Sequence, residues 1–311
     1  MHAPSISKGI MLSFGSLLLL GIMPVVSNSR PAAVDALAFA VALSFWQTVF
    51  AGPVMAMEFR LGTRGVFAAA LPRAVAWRMA VVGLLTGALF GLSTYLYVVG
   101  VEKAGAANAA VAMQAYPLFA IILEFVFFRC RKTPLALFLT LLLTAALYYL
   151  GTGGTWRLSG LSFWFLVAVG VPLIWSIAHL IIKEELSRTP VTPAQVTFFR
   201  VAISTFFLVV VLAVTAFPAM ADLPMAIMQP VSILMGLVYY LELMVWFYAI
   251  RHIDVSLASS ITTPWPALTM VLAFVLLGDR NELYQVAALA VVVMCIYGLT
   301  LASLRKPVLA I

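Results

Sequence analysis

The chain has 311 residues, of which 64% are hydrophobic and only 9% charged, with a net charge of +7. Soluble domains carry about a quarter charged residues, so this sequence lacks the polar skin that a water-facing globule needs. The solvent must be lipid, where every backbone amide has to be paired within the protein and only helices or closed barrels span.

A barrel would alternate apolar and polar residues over strands of about ten. Here the apolar stretches run for about twenty residues, the length that crosses a hydrocarbon core as a helix. Ten such spans follow in chain order: 9–27, 36–57, 78–100, 105–128, 134–151, 160–182, 194–216, 228–249, 255–277 and 284–303. The first follows Lys8 as a signal peptide would, but its length and Pro24 favour a retained helix. Between the spans lie only short connections, so the chemistry is expected inside the helical bundle or at its faces.

The charges orient the bundle. With the N-terminus in the cytoplasm, Lys8, Arg60, Arg64, Arg73, Arg78, Arg129, Arg131, Lys132, Lys183, Arg188, Arg200, Arg251, Arg305 and Lys306 all face that side. Arg30, Lys103, Arg157 and Arg280 face the other. Basic residues concentrate on the cytoplasmic side of membrane proteins, so both ends are expected there, in a bacterial inner membrane. The positive balance therefore signals orientation, and nucleic acid is not an expected partner. Cys130 and Cys295 read as small apolar packers, with no disulfide framework or metal site.

Residues 97–151 lie on residues 246–300 at a constant offset of 149. Ala109 then matches Ala258, Pro117 matches Pro266, Leu123 matches Leu272, and Tyr148 matches Tyr297. The offset divides the chain into five spans and five spans, with repeats at 1–152 and 153–311. Five is odd, so the second repeat enters the membrane from the opposite side. Inverted repeats of this kind recur in transporters, with substrate near the midplane.

Segments 104–131 and 253–280 resemble the repeat signature of the drug/metabolite transporter superfamily, in its EamA-type ten-helix branch. That signature runs from a small-residue helix start through a mid-helix proline to a Gly-acid pair. The second half shows Ser256, Ala258, Ser259, Pro266 and then Gly278-Asp279, with Asp where the family commonly has Glu. The first half keeps Ala104-Gly105-Ala106, Ala109 and Pro117, but Arg129-Cys130 replaces the Gly-acid pair. The resemblance implies an all-α integral membrane protein with ten helices in two inverted repeats. It further implies a secondary exporter of small metabolites, with aromatic and other neutral amino acids as the first choice of cargo. A carrier of another neutral or cationic metabolite or drug is the alternative.

The residues themselves supply candidate sites. Pro24, Pro53, Pro117, Pro172, Pro264 and Pro266 fall inside spans, and each removes a donor and frees a carbonyl. Pro117 and Pro266 match under the offset and are the hinge candidates. Gly83, Gly87 and Gly91 recur every four residues, a small-residue stripe that permits close helix contact. Glu242 lies nine residues before Arg251, about 13 Å from that boundary at 1.5 Å per residue, near the midplane. Tyr239, Glu242 and Trp246 share one face of the eighth span. Their counterparts under the offset, Phe90, Ser93 and Tyr97, share one face of the third. These two faces are expected to line a cavity, although Tyr97 and Trp246 also suit an interfacial aromatic belt. Tyr95, Gln114, Trp175, Thr262, Thr263, Trp46 and Gln47 also lie deep, whereas His179, one turn before Lys183, reads as interfacial.

No Lys or Arg falls in the middle third of any span, so the interior is expected to offer no fixed cation. A cargo without net negative charge follows, and aromatic lining favours a partly apolar one. An enzyme would need paired carboxylates, a metal-ligand cluster or a nucleophile with its base inside the bundle. Only one deep acid is present, and no ATP-binding loop occurs. A channel would show a repeated polar filter. The expected partners are the bilayer and a small-molecule substrate, with no cofactor or metal and a monomer as the working unit.

Overall fold

The protein is described here from a computed structural model, which covers residues 6–62, 65–67, 71–116, 118–119, 122–123, 133–189, 191–249, 252–253, 258 and 261–304. The long elements in chain order are α1 (Ile6–Asn28), α2 (Ala36–Arg60), α3 (Arg73–Ala104), α4 (Ala106–Ala112) and α5 (Pro134–Gly151). They continue with α6 (Phe163–Arg188), α7 (Pro193–Thr215), α8 (Leu223–Met228), α9 (Pro230–Ala249), α10 (Trp265–Leu272) and α11 (Leu283–Leu304). Among the described residues there is no strand, as a chain solvated by lipid requires unless it closes into a barrel.

Six helices, α1, α2, α3, α5, α6 and α7, are by themselves long and apolar enough to cross a membrane. The eighth expected span is α9, and the segment before it (Phe217–Met228) is bent by 72° against it at Gln229. The ninth and tenth are shorter apolar helices, Trp265–Leu277 and Leu283–Leu299. The fourth is seen as α4 and the 3-10 turn Met113–Ala115. Pro117, Glu124 and Arg129 to Lys132 lie outside the described residues, so the hinge expected at Pro117 and the packing role of Cys130 have no structural account.

Local chemistry sets the helix ends. Asp35 caps α2 by accepting from the Leu37 and Ala38 amides at 2.8 and 3.1 Å, which satisfies donors left over in the first turn. Thr192 and Gln195 form a reciprocal capping box at the start of α7, with proline in the first turn. Two glycines have the left-handed backbone that a Cβ disfavours. Gly105 (φ 84°) separates α3 from α4, and Gly278 (φ 73°) closes the π-helical turn Ala273–Leu277. Both belong to the repeat signature. Pro24, Pro53 and Pro172 are carried inside unbroken helices. Pro266 is different: with Pro264 at the cap, it stands in the first turn of a fresh helix, α10. The proline placed mid-helix from sequence therefore stands at a helix start, because proline's fixed φ and missing N–H suit that position.

The chain forms two compact units, each drawing on both sequence halves. The first comprises residues 1–28, 100–173 and 244–311. Within it α1 packs on α10 and α11 on α5. Thr269 donates to the Gly21 carbonyl at 2.8 Å, and Gln285 to Asn108 at 2.8 Å. The second comprises residues 29–99 and 174–243. Here α2 packs on α7, with Thr48 and Thr205 hydroxyls 3.2 Å apart.

The glycine stripe of α3 packs against α7 in this second unit, as its spacing suggested. A Cβ on Gly87 would fall 2.4 Å from Ile203, and one on Gly91 would fall 2.7 Å from Phe207. Ser204 donates to the Gly87 carbonyl at 2.7 Å. Gly236 on α9, the counterpart of Gly87 under the offset, does the same against α2, where a Cβ would meet Trp46 at 2.5 Å. The seam on α3 brings α7 close enough to bury what projects from it.

Candidate functional site

The deepest polar side chains of the second unit gather around α3, α6, α7 and α9. From α3 come Phe90, Ser93, Thr94 and Tyr97, all at most 5% exposed. Ser93 and Thr94 turn their hydroxyl protons back on the Phe90 carbonyl at 2.9 and 2.8 Å. That leaves the Ser93 oxygen as an acceptor, which Trp175 of α6 uses at 3.0 Å through its indole N–H. Tyr239 of α9 hydrogen-bonds Thr94 and has its ring 6.3 Å from that of Tyr97. Glu242, one turn further along α9, is 8% exposed.

The structure thus brings Phe90, Ser93, Tyr97, Trp175, Tyr239 and Glu242 into one unit and links most of them by direct contact. Tyr97 is 1% exposed, so it is an interior residue and not a belt aromatic. Its hydroxyl is buried with no hydrogen-bond partner, a polar atom available to a guest. Tyr95 and Trp246 are half-buried, and Trp246 belongs to the first unit. Gln114 and Thr263 also lie in the first unit, where the Gln114 amide donates to the Thr263 carbonyl at 3.1 Å. That carbonyl precedes Pro264 at the start of α10, so the bond satisfies the acceptor left by the broken helix.

Two residues of the site were read differently from sequence. His179 packs its ring 5.4 Å from that of Phe90, so it lines the same cluster and is not simply interfacial. Arg200 is the larger correction. Counted above among the charges facing the cytoplasm, it is only 7% exposed, with its guanidinium 3.9 Å from the centroid of Phe90. It interacts electrostatically with Tyr239 and Glu242. The interior therefore does hold a fixed cation. Arg200 is eight residues into α7, and its long stem reaches inward from there along apolar surface. The glycine seam between α3 and α7 sets that reach against Phe90. The cap of α7 fixes the register: Thr192 donates to Glu58 at 2.6 Å, and Gln195 accepts from Val66 at 3.1 Å. A depth count along one helix misses this, because it locates the Cα and not the charge.

A buried ion is costly unless paired. Here the Phe90 face offsets part of that cost, since a cation over a ring gains from the ring's quadrupole, and the Glu242 charge adds a favourable electrostatic influence. Among the described residues, no group of three or more His, Cys, Asp or Glu stands ready to hold a metal ion.

Comparison with known proteins agrees with this architecture. The model of the EamA-like transporter family matches twice, over residues 7–152 and 162–301. No curated protein matches the chain. A solved crystal structure of another protein superposes with a TM-score of 0.61 at 19% identity, covering 97% of this chain and 100% of that one, a likeness that bears on fold alone. With both matches together spanning most of its length, the all-helical, lipid-solvated chain belongs to the EamA-like transporter family, whose members are small-molecule transporters.

Proposed function

We propose that the protein is a secondary exporter of amino acids with neutral, preferentially aromatic, side chains, working by alternating access between inverted repeats at 1–152 and 153–311. The observation that carries the reading is a buried Arg200, electrostatically coupled to Glu242, among the aromatic side chains Phe90, Trp175, Tyr97 and Tyr239. A zwitterionic amino acid has one carboxylate, one ammonium and one side chain. A guanidinium fork suits the first, a carboxylate the second, and ring faces the third. A bound zwitterion then sets its carboxylate against the cation and its ammonium against the acid and leaves no charge unmatched.

The first-half cavity residues, Tyr95 and Gln114, and the second-half residues, Trp246 and Thr263, are assigned to the substrate path outside this enclosure. Pro266 and Pro117 are assigned to its hinges. In length, pattern and aromatic-rich interior the chain resembles the bacterial amino-acid exporter YddG. The positive-inside count supports an inner-membrane location with both ends in the cytoplasm, and a single copy holds both the buried cation and the buried acid, which supports a monomer.

The Arg200 charge removes one argument made from sequence. A cargo without net negative charge no longer follows from an interior without cations. It rests now on the balance of one cation against one acid. The test is flux in liposomes holding only this protein, with a panel of competitors. Saturable, stereoselective uptake of phenylalanine or tryptophan, inhibited by other neutral amino acids, is expected. Sugar-phosphate transport that neutral amino acids do not inhibit would overturn the reading. Non-saturable flux would indicate a channel instead.

A further inference from the structure

A cavity of about 260 Å³ opens between α3, α6 and α7 in the second unit, and it meets the site described above at Arg200. Its wall is hydrocarbon and one ring: Met79, Val82, Ile182, Phe199 and Ile203 are among the lining side chains. Two polar side chains interrupt this. The hydroxyl of Thr86 is turned back on the Val82 carbonyl at 2.7 Å, so its proton is already used. The other is Arg200. No acid is among the described lining residues.

We propose that this cavity is a binding site for a small apolar monocarboxylate, with the carboxylate on Arg200 and the hydrocarbon body against Met79, Ile182, Phe199 and Ile203. The chemistry of the wall makes the choice. An ammonium would be buried among apolar groups with no acid to meet it, at a prohibitive desolvation cost. A purely apolar guest would cover a guanidinium face without offering it an acceptor. A carboxylate fits both requirements, because the guanidinium has five N–H donors and the Phe90 ring engages its face, leaving edge donors to share. The volume suits a compact body such as a phenyl ring with a short acid arm, being near the lower end of small-molecule sites. This inference goes beyond amino-acid export and does not require it, since the cavity itself has nothing for an α-ammonium.

The test is equilibrium binding to the full chain in lipid nanodiscs, with 3-phenylpropionate as the probe. Its neutral isostere 3-phenylpropionamide and the cation 2-phenylethylamine serve as comparators. The acid is expected to bind at least about tenfold more tightly than either, as a charge-assisted fork contact would give. Arg200→Gln should abolish that preference. Because removing a buried charge from the site can compromise folding, Gly83→Leu provides a second variant. A Cβ at Gly83 meets only Ile203 at 3.7 Å, so the added side chain grows into the cavity. It should leave the yield of folded protein intact and abolish acid binding. Equal binding of acid and amide, or unchanged acid binding in Gly83→Leu, would overturn the proposal. Phenylalanine flux measured on the same preparation keeps the two readings apart: acid binding without amino-acid flux defeats only the export reading, and the reverse result defeats only this one.

Discussion

Gln114 donates its side-chain amide to the Thr263 carbonyl at 3.1 Å, and the two residues are 149 positions apart, the offset at which the sequence repeats. A two-fold relation between repeats brings counterparts face to face along its axis, and a contact between such counterparts supports that relation. The bond is asymmetric in chemistry, since one partner is a side chain and the other a main-chain carbonyl. The second copy needs it because its helix restarts after Pro264.

Replacing Gln114 by Leu therefore removes this donor from the Thr263 carbonyl. A lost hydrogen bond costs about 0.5–1.5 kcal/mol, and Gln114→Leu should unfold a few degrees below wild type in detergent. An unchanged melting temperature would mean that the carbonyl finds another donor.

The glycine seam makes a sharper structural prediction. Gly87→Ala places a methyl 2.4 Å from Ile203, a β-branched side chain with little freedom to retreat, whereas Gly83→Ala finds its nearest neighbour at 3.7 Å. Overpacking costs about 1–3 kcal/mol, so Gly87→Ala should lose stability while Gly83→Ala stays near wild type. Ile203→Ala should restore part of the loss in the double variant. Equal melting temperatures for the two alanine variants would show that the helices separate without cost.

Glu242→Gln keeps size and hydrogen bonding but removes the charge. Under the proposed function, phenylalanine flux should fall by at least about tenfold, the scale of one lost charge-assisted contact, with membrane yield unchanged. Normal flux at every pH tested would restrict the carboxylate to a structural part.

The Trp175–Ser93 bond allows an internal check. Trp175→Phe and Ser93→Ala each remove the same hydrogen bond, worth about 1 kcal/mol. Each should raise KM severalfold, and the double variant should do little more than either alone. Additive effects would mean that the two residues act separately.

The topology is testable without substrate. A reporter fused to the C-terminus and active only in the cytoplasm should be active, and one active only in the periplasm should be silent. The opposite pair of results would invert the orientation.

Much of the fold was legible because lipid leaves the sequence few options. Span lengths and signature glycines are local features, and local rules describe them. The faces Phe90–Ser93–Tyr97 and Tyr239–Glu242 were also legible, since helical periodicity decides which residues point together. Arg200 and His179 were not. Each was placed by its distance along a helix from a charged end, a measure that ignores where a long side chain reaches and which neighbour draws close to it. Pro266 was misplaced for a related reason. An apolar run of the right length looks like one helix whether or not the backbone restarts within it, and only the consecutive Pro264-Trp265-Pro266 hinted at the break.

The two glycine seams also bear on how the protein moves. A helix seated on a glycine has its partner's side chain sunk into its own surface, and sliding would first require lifting that side chain clear. α3 is keyed in this way to α7, and α9 to α2. Single helices are then poor candidates for the moving parts. Each keyed pair behaves as one strut, and a change of shape must rotate struts as wholes or bend them beyond the keyed turns, as a hinged frame moves at its joints and not along its beams.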